Sequence, residues 1–473
     1  MPSEVLLGAD LGTSGLKLVA VDATGAVVVE AEADYAVLSP APGHAETDVS
    51  AWRGALDDAL AAVAPSLAGA RVRGLGLAGQ MHGAVVVDAA GAALRPAMLW
   101  PDRRAVVELD RWHALTAGDR AALANPLTPG MTGPLLAWLA EHESDVVARA
   151  AAVLLPKDAL RATLLPGTDP RVTDRSDASA TLLWDVVGDR WSAPAVAAAG
   201  VSPALLPAVR PSIDVAGTAR LPVGDVPVVV GGADTPLALL AAGTSTGVQI
   251  NLGTGAQLIR PGWEPRPVDD PVVHAYADVT GGWFAMAALQ NAGSAWAWVC
   301  EVLGLTSAEL FEAAGAAPTG AGGVVFRPFL TGERAGVAGP ADRGGWTGLQ
   351  SGTTRADLAR AAVEGVVFAV SAAFELLDVR DDGQPVILSG GGARSPLVVQ
   401  TLADVLGRPV RHLRLRSASA IGAAVLAGRG TGLDVVPDRR PDPMVDPRPS
   451  PALIEAAQSW RLARPPAPAG VRR

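Results

Sequence analysis

LLGADLGTSGLKLVAVDATG, from Leu6 to Gly25, decides the fold of this chain, because it sets a glycine-rich turn between two short apolar runs. The first run ends at Asp10, the turn is Gly12–Gly15, and the second run continues to Asp22. The β-branched content and short length of the second run favour a strand over a helix. The stretch therefore predicts a β-hairpin, not the strand–loop–helix of a dinucleotide site or P-loop. The backbone N–H groups and hydroxyls of such a turn suit an anion, and an acid lies at its mouth.

Composition limits the classes of protein to which the chain can belong. Its 473 residues are 49% hydrophobic and 18% charged, which is typical of a folded protein with more than one core. A net charge of −10 argues against nucleic-acid and anionic-membrane partners. Cys300 is the single cysteine, so no disulfide forms within the chain. We expect no signal peptide, because the first strand follows almost at once without a basic region, and no membrane span, because no long apolar run occurs. We expect a cytoplasmic enzyme that acts on small molecules.

A second glycine-turn hairpin is predicted in VQINLGTGAQLIRPG, from Val248 to Gly262, with its turn at Gly253–Gly255. Similar hairpins in two halves of a chain indicate a duplicated domain. We therefore expect an N-terminal domain over 1–243 and a C-terminal domain over 244–473. The residues beyond about 435 are rich in Pro, Asp and Arg, and we predict that they wrap over the surface, take no part in catalysis and have helical character only at 451–463.

Three further loops follow apolar strands or precede helices. Gly79–Gly83 separates two predicted strands, and the turn that ends in Asp234 separates a strand from a helix, the usual place of a functional loop in an α/β fold. PVILSGGGARSPLVVQTLADVLG, at 385–407, predicts a strand, a glycine loop and a helix with Ser395 as N-cap and Pro396 as the first helical residue. DVSAWRGALDDALAAVA predicts a helix with Ser50 near its start as the cap, and 354–377 predicts a long apolar helix. Each glycine loop alone is an ordinary tight turn; their order along the chain is more specific.

In that order, these segments resemble the FGGY family of carbohydrate kinases, which has the two-domain ATPase fold shared by actin, hexokinase and Hsp70 chaperones. The similarity extends from Gly8 to about Ala424, and within the family the sequence is most similar to the xylulose kinases. Glycerol kinases carry a different sequence at Gln80–Gly83. The segments that carry the resemblance are GADLGTSGLK (8–17), GQMHGAVVVD (79–88), LLPKDALR (154–161), TDRSDAS (173–179), GGAD (231–234), NLGTGA (251–256), FLTGER (329–334) and SGGGARSP (389–396).

The resemblance implies an α/β fold of duplicated ribonuclease H-like domains, with the active site in the cleft between them. Asp234 would be the general base that takes the proton of the sugar hydroxyl, and Asp10 would orient Mg²⁺–ATP, holding the metal through water. The implied sugar contacts are Gln80, Met81, His82, Trp100, Asp102, Arg104 and Asp234. The implied ATP contacts are Gly12, Thr13, Ser14, Lys17, Gly253, Thr254, Gly255, Gly391, Gly392, Ala393 and Arg394.

Several of these residues have a simpler structural interpretation. Asp10 and Asp234 are also acids of the kind that form turns at strand ends. Lys17 fits a solvated strand position equally well, and His82 fits a loop histidine bonded to a carbonyl. Tryptophans such as Trp296 are expected in the core or at a domain interface rather than against a ligand.

The sequence departs from the family pattern at three places. Trp-Asn-Asp-x-Arg is replaced by WPDRR at 100–104, so Pro101 removes a polar side chain near the expected sugar site. The common Thr-Pro-His after Glu333–Arg334 is replaced by Ala335–Gly336–Val337, and Gly255 stands where a serine is usual. None of these changes removes the expected base, but they leave the preferred sugar open.

The activity implied is ATP-dependent phosphorylation of D-xylulose to D-xylulose 5-phosphate. The alternatives are a kinase for another ketopentose or polyol, of the ribulose, glycerol, fuculose or arabitol type, and a catalytically silent sugar-binding regulator. A repressor needs a DNA-binding helix-turn-helix for which few residues precede the first strand. A chaperone needs a peptide-binding β domain after the ATPase. The expected partners are a sugar and ATP, without nucleic acid or membrane, and a homodimer is possible.

Overall fold

The computed structural model describes residues 3–333, 336–379 and 383–462. The chain divides into two compact units. The first consists of the residues up to Ser245 together with Gly262–Phe284 and Leu415–Arg439. The second consists of Thr246–Pro261, Ala285–Arg414 and the residues from Arg440 onward. The chain thus returns to the first unit twice after leaving it, whereas the sequence predicts a single boundary after residue 243. The division into functional domains over 1–243 and 244–473 stays a prediction.

Strands and helices alternate along the described residues, as expected of an α/β fold. The strands are β1 (Glu4–Leu11), β2 (Gly15–Asp22), β3 (Val27–Asp34), β4 (Glu46–Thr47), β5 (Arg71–Gly79), β6 (Val85–Val87), β7 (Ala97–Met98), β8 (Ala152–Leu154), β9 (Val172–Asp174), β10 (Trp184–Asp185), β11 (Arg190–Trp191), β12 (Ala208–Arg210), β13 (Val215–Leu221), β14 (Gly224–Val229), β15 (Gly232–Ala233), β16 (Val248–Leu252), β17 (Ala256–Pro261), β18 (His274–Ala277), β19 (Trp283–Leu289), β20 (Val325–Arg327), β21 (Gly345–Thr347), β22 (Val386–Ser389), β23 (Val410–Arg414) and β24 (Arg440–Pro441).

The α-helices include a long apolar helix and a helix after the Asp234 turn, both where the sequence predicts them. They are α1 (Val49–Val63), α2 (Leu109–His113), α3 (Ala117–Leu123), α4 (Thr132–His142), α5 (Ser144–Arg149), α6 (Pro156–Leu164), α7 (Arg175–Ala178), α8 (Ala193–Ala198), α9 (Asp234–Ala242), α10 (Gly293–Leu303), α11 (Ser307–Ala316), α12 (Arg355–Glu375), α13 (Pro396–Leu406), α14 (Ala418–Thr431) and α15 (Pro451–Leu462). Short 3₁₀ turns occupy Ala64–Leu67, Arg104–Val106, Pro203–Leu205, Ala321–Gly323 and Gly391–Arg394. Among the described helices, none combines the length and the apolar character needed to cross a bilayer.

The sheet of the first unit has the order β13-β14-β5-β1-β2-β3, and β15 also pairs with β5. The opening stretch forms the predicted hairpin, in which Asp10 lies opposite Lys17. β1 and β15 both run parallel to β5, so that Leu11 and Ala233 each pair with Gly79. Parallel strands end at the same edge of a sheet. The turn after β1, the loop after β5 and the turn before Asp234 therefore lie at one edge.

Apolar side chains cover both faces of this sheet. Leu7 and Leu11 of β1 belong to one buried cluster with Trp52 of α1. Leu6, from the alternate positions of β1, belongs to a second buried cluster with Leu237 of α9 and with residues of α14. Burial on both faces explains why β1 is an almost continuous apolar run.

Helix α14 packs against β1 and β5 so closely that only glycine fits beneath it. A Cβ at Gly8 would lie 1.9 Å from Ala420 O, and a Cβ at Gly76 would lie 2.0 Å from Ala423 O. Both distances are far below van der Waals contact, so the helix backbone would have to move. These two glycines thus set the separation of helix and sheet.

The cap of α1 differs from the prediction. The N-cap is Asp48, whose side chain accepts a hydrogen bond of 2.8 Å from the backbone N–H of Ser50. Ser50 lies inside the helix and donates instead of capping. Both residue types cap helices, so the composition of the segment does not distinguish between them.

The sheet of the second unit includes the order β19-β17-β16-β22-β23-β24. β16 and β17 form the second predicted hairpin, and β16 runs parallel to β22. The segment beyond 435 is more than a surface tail: β24 pairs with β23, and α15 buries Leu453 and Trp460. The indole N–H of Trp460 donates to Phe326 O at 2.9 Å. The predicted helix is confirmed, and most of its side chains are exposed; the burial of Leu453 and Trp460 is what the sequence did not predict.

The approach of α14 to the sheet generates a stability prediction. We expect Gly76→Ala to lower the free energy of unfolding by about 1–3 kcal/mol or more, because the added methyl group overpacks the contact. The matched control is Gly54→Ala in α1, where a Cβ would meet nothing within 4 Å. That change should be neutral or stabilising by about 0.5–1 kcal/mol, since alanine suits a helix better than glycine. Thermal and urea unfolding of both variants measure the difference; equal effects would contradict it.

Candidate active site

The turn Gly12–Gly15 is tied to its neighbours by several hydrogen bonds, and two of them meet at the carbonyl group of Gly12. Gly12 N–H donates to Gly15 O at 3.0 Å, which closes the turn. Gly12 O accepts hydrogen bonds from the hydroxyl of Tyr35 and, at 3.0 Å, from Nε2 of Gln80. The backbone N–H of Gln80 also donates to Leu11 O at 2.9 Å. The glycine turn and the loop after β5 are thus held together as one surface.

Two carboxylates, Asp10 and Asp234, face this surface. Asp234 is the first residue of α9, and its Oδ1 accepts hydrogen bonds from the backbone N–H of Thr235 at 2.6 Å and from its hydroxyl at 3.2 Å. Burial raises the pKa of Asp234 to about 6. Burial, and after it the charge of Asp234, raises the pKa of Asp10 to about 7, against the opposing effect of Lys17. Two buried acids whose pKa values are raised towards neutral pH are typical of a catalytic site.

Asp10 has the properties expected of a ligand for a hydrated cation. Its Oδ1 is buried and has no hydrogen-bond partner among the described residues. Within those residues no group of three or more His, Cys, Asp or Glu side chains forms a metal cage. Mg²⁺ commonly binds one or two carboxylates, keeps several waters and takes its other ligands from phosphate. The residues present therefore fit a Mg²⁺ ion that arrives with a nucleotide.

The loop Gly79–Gly83 has a strained backbone at its centre. His82 has a φ of 67°, which is uncommon for a residue with a side chain. Its Nδ1 lies 2.6 Å from Ala180 O, and its ring centroid lies 5.9 Å from that of Tyr276. The carbonyl bond is the one that the simpler interpretation of His82 expects; contact of this side chain with a sugar stays a prediction.

The two residues before His82 point into the unit. Met81 is buried, and so is Gln80, which uses its Nε2 on the glycine turn. Gln80 Oε1 is buried without a hydrogen-bond partner among the described residues. A buried, unpaired acceptor beside a polar loop is suited to a ligand hydroxyl.

Asp102 and Arg104 form a buried ion pair. Asp102 is fully buried, and its Oδ2 accepts a hydrogen bond of 2.7 Å from Ala45 N and lies 2.8 Å from Nη2 of Arg104. Nη2 of Arg104 also lies 2.5 Å from Oε1 of Glu46, and its guanidinium stacks over Trp138 at 4.8 Å. Both side chains are engaged with protein groups that hold the 100–104 segment, so their direct contact with sugar stays a prediction.

The other predicted residues near the first turn are more exposed. Trp100 is 38% exposed, and its indole N–H donates to Thr13 Oγ1 at 2.9 Å. Ser14 is exposed at the tip of the turn. Lys17 Nζ lies 3.3 Å from Glu32 Oε1, and both side chains are largely exposed. Thr13 and Trp100 thus belong to the surface around Asp10, whereas Lys17 has the solvated position that the simpler interpretation expects.

In the second unit, the turn Gly253–Gly255 repeats the closure of the first. Gly253 N–H donates to Gly255 O at 2.9 Å. Gly253 O accepts from Gly293 N at 3.0 Å, and Thr254 O accepts from Ser294 N at 3.0 Å. These bonds fix the turn on the start of α10 and leave the side chain of Thr254 exposed.

The glycine loop after β22 contains glycines with different functions. A Cβ at Gly392 would lie 2.7 Å from the side chain of Leu252, so packing alone requires glycine there. A Cβ at Gly391 would meet nothing within 4 Å, which leaves an open surface. Ala393 is buried, whereas Arg394 is exposed. Ser395 is the N-cap of α13 as predicted, although its hydroxyl makes no capping bond.

Sequence reasoning missed Tyr35 and a buried charged cluster around Lys157. Tyr35 directly follows β3 and belongs to no motif or spacing pattern, so its contact with Gly12 is visible only once the pairing of β3 with β2 is known. LLPKDALR and TDRSDAS were noticed as segments of the family pattern, but no function followed from their residue types. Arg334 and Ala335, which belong to one departure from that pattern, lie outside the described residues.

The buried acid at position 10 generates a prediction about stability. The pKa of Asp10 is raised, so the folded protein binds this proton more tightly than the unfolded chain. The protonated side chain of Asp10 thus contributes to the free energy of unfolding. This stabilisation is fully present below the ordinary carboxyl pKa and is lost as the pH rises through about 7. We expect Asp10→Asn to stabilise the ligand-free protein by about 1–3 kcal/mol at pH 8, and by much less at pH 5. Thermal unfolding at the two pH values measures this.

The control for this prediction is Asp225→Asn, at an exposed position of β14. It should change the melting temperature little at either pH. An Asp10→Asn variant that loses the same stability at both pH values would contradict the buried-charge explanation.

Two family models match most of the chain. The N-terminal domain of the FGGY family of carbohydrate kinases matches residues 5–241, and the C-terminal domain of the same family matches residues 248–431. The xylulose kinase of Escherichia coli is 33% identical over 447 residues, which cover 92% of this chain and 90% of that protein. The xylulose kinase of Streptomyces rubiginosus is 34% identical over 451 residues, covering 91% and 89%.

The fold is also that of a solved relative. The crystal structure of xylulose kinase from Rhodospirillum rubrum superposes with a TM-score of 0.85 at 28% identity, over 97% of each chain. The chain therefore has the two-domain carbohydrate kinase fold, related to actin and hexokinase, that its segments predict. With its matched domains, its fold and its paired carboxylates at one sheet edge, the chain belongs to the FGGY family of carbohydrate kinases, a family of phosphotransferases.

Proposed function

We propose that this chain transfers the γ-phosphoryl group of ATP to D-xylulose and forms D-xylulose 5-phosphate. The observation that carries the proposal is the pair of buried carboxylates, Asp10 and Asp234, at the sheet edge beside the first glycine turn. The substrate follows from relatives described as xylulose kinases, which are 33–34% identical over about nine-tenths of the chain.

Asp234 is the proposed general base. Phosphoryl transfer to an alcohol needs a group that accepts the hydroxyl proton as the new P–O bond forms. A carboxylate with a pKa of about 6 is mostly ionised at pH 7 and is still basic enough to accept a proton. Thr235 donates two hydrogen bonds to Oδ1, which fixes the carboxylate and leaves Oδ2 for the sugar.

Asp10 is the proposed acid that faces Mg²⁺–ATP, and the hydroxyls of Thr13 and Ser14 with the turn amides are proposed to orient the phosphates. Bound Mg²⁺ neutralises phosphate charge in reactions of this class. A cation near Asp10 favours the ionised carboxylate, which offsets the burial that raises its pKa. ATP contacts from Gly253–Gly255 and from Gly391–Arg394 are part of the proposal and are supported by their place in the family pattern.

A second candidate is a kinase for another ketopentose or a polyol. It is favoured by Pro101, which stands where the family pattern has asparagine. The base and the phosphate turn would be the same, and the difference would lie in the sugar contacts around Gln80 and His82.

The substrate assignment is tested by ADP release with Mg²⁺–ATP against D-xylulose, L-xylulose, D- and L-ribulose, glycerol, L-fuculose, D-arabitol and xylitol. We expect the highest kcat/KM for D-xylulose. A higher kcat/KM for another compound of the panel would still indicate a kinase, but it would support the second candidate as the substrate assignment. A protein that binds ATP but releases no ADP with any of these compounds would contradict the proposed activity.

The base is tested by Asp234→Ala. We expect kcat to fall by about 10²–10⁴-fold, since a general base contributes a factor of that size. Sugar binding, measured directly by calorimetry, should change much less. In the parent enzyme kcat/KM should fall below an apparent pKa near 6, because protonated Asp234 cannot accept the hydroxyl proton.

The matched control is Asp225→Ala, which removes an exposed carboxylate of the same unit and should leave kcat unchanged. Near-normal turnover in Asp234→Ala would contradict the assignment of the base. The weakly active Asp234→Ala enzyme should no longer lose kcat/KM as the pH falls through about 6. If the loss at low pH persists unchanged in this variant, another group causes it.

A further inference from the structure

Behind the proposed base lies a buried cluster of charged residues that the activity itself does not use. Lys157, in the first turn of α6, is fully buried. Its Nζ lies 2.7 Å from Oδ1 of Asp158, 3.1 Å from Oδ1 of Asp174 and 3.0 Å from Oδ2 of Asp177. Nη1 of Arg161 lies 2.7 Å from the same oxygen of Asp158. Burying so many charges is costly, and apolar side chains would fill the space at lower cost.

The charges of the cluster balance at neutral pH. Burial disfavours the ammonium of Lys157, but its carboxylate neighbours outweigh burial and raise the pKa, so the group is cationic. Burial, against the effect of Lys157, raises the pKa of Asp177 to about 8, so this acid is mostly protonated at pH 7. Two cations then face the two carboxylates of Asp158 and Asp174. The cluster is a fixed, neutral arrangement of strong hydrogen-bonding groups.

The lysine lies directly beneath two of the strand ends that form the site. A Cβ at Gly79, the last residue of β5, would lie 2.8 Å from Cβ of Lys157. A Cβ at Gly231 would lie 3.4 Å from Cδ of Lys157 and 2.4 Å from Leu77 O. Gly231 also has a φ of 85°, which favours glycine. The end of β5 and the turn before Asp234 therefore rest against this side chain.

A chain of hydrogen bonds continues from the cluster to that turn. Oδ2 of Asp174 accepts from the hydroxyl of Ser176 at 2.6 Å and from the hydroxyl of Ser212 at 2.8 Å. Because the hydroxyl of Ser176 donates to Asp174, its oxygen is oriented to accept, and it accepts the backbone N–H of Ala233 at 2.9 Å. Ala233 is the N-cap residue of α9 and immediately precedes Asp234.

Two more bonds hold the same turn. Nη1 of Arg161 donates to Val230 O at 2.6 Å, and Gly231 N–H donates to Ser212 O at 3.0 Å. The backbone on the N-terminal side of Asp234 is thus held by groups of the cluster, or by residues bonded to it, at positions 230, 231 and 233.

We propose that Ser176, oriented by Asp174 and Lys157, is a positioning residue that fixes the carboxylate of Asp234 for proton transfer. The proposal rests on the proposed function of Asp234 as the base. Ser176 restricts the turn because the Ala233 amide cannot shift without breaking its buried hydrogen bond to the Ser176 hydroxyl oxygen. A displacement of the base by about 1 Å would be enough to slow transfer by about 100-fold.

The test is Ser176→Ala, which removes the acceptor of the Ala233 amide and keeps the rest of the turn. We expect kcat to fall by about 10–100-fold, with KM for the best sugar of the panel changed by less than about threefold. Rates are divided by the folded fraction, measured by circular dichroism. The matched control is Ser212→Ala, which removes an equal hydroxyl bond from Asp174 while Gly231 keeps its bond to the backbone oxygen of residue 212. Its kcat should stay within about threefold of the parent value.

A double-mutant cycle separates positioning from general stability. In the Asp234→Ala background the base is gone, so adding Ser176→Ala should lower kcat by less than about twofold further. Effects that multiply in the double variant would overturn the proposal, as would a parental kcat in Ser176→Ala. If Ser176→Ala does not fold, Ser176→Cys keeps the side-chain size with a weaker acceptor and should show an intermediate loss of kcat; a parental kcat there would also overturn the proposal.

The cycle also separates this proposal from the one on which it rests. Near-normal turnover of Asp234→Ala contradicts the base itself, whatever Ser176→Ala does. A large loss in Asp234→Ala together with full activity in Ser176→Ala keeps the base and rejects the positioning residue.

Discussion

The site depends on the parallel pairing of β5 with β1 on one side and β15 on the other. Pairing fixes the register, so Leu11, Gly79 and Ala233 end at the same level of the sheet. A register shift of one residue would turn every following side chain to the other face. Backbone hydrogen bonds between these strands bring together the glycine turn, the loop of His82 and Asp234. A few side-chain hydrogen bonds between these segments then fix their positions.

Charge is buried around this edge at two places, with different consequences. At Asp10 one carboxylate oxygen has no partner within the described residues, and the pKa is raised, so a cation is needed to favour the ionised form. Around Lys157 the charges are balanced within the protein, and the hydrogen bonds are directed to backbone groups. The first arrangement disfavours the ionised carboxylate until a cation binds, whereas the second is balanced without a ligand. The proposed reaction needs both, because the proposed phosphate site must accept an incoming charge while the proposed base keeps its position.

Local patterns in the sequence were enough to predict both hairpins, the turn before Asp234 and the long helix α12. Each of these follows from apolar periodicity and glycine placement within about 20 neighbouring residues. The family pattern then identified Asp10 and Asp234. The cap of α1 could not be assigned, because Asp48 and Ser50 are both good caps two residues apart. The burial of Trp460 was missed because Pro and Arg dominate the composition of its segment.

The sequence alone could not predict the cluster around Lys157, for a different reason. Lys157 and Asp174 are 17 positions apart, and no period relates the two; only the packing of α6 beside β9 brings them within 3.1 Å. Asp102 and Arg104 show the same limit, because the bond of Asp102 to the Ala45 amide and the ion pair of Arg104 with Glu46 both depend on tertiary contacts.

The packing of α14 on Gly8 and Gly76 has a consequence for how the chain is made. This helix is encoded after nearly all of the second unit, yet it covers one face of the first sheet. During synthesis the strands of the first unit leave the ribosome long before the helix that covers them. The apolar face that includes Leu6 must therefore wait for this part of its cover while the 175 residues between the end of α9 at Ala242 and the start of α14 at Ala418 are added, at about 5–20 residues per second. Completion of the first unit is thereby delayed until most of the second has been synthesised.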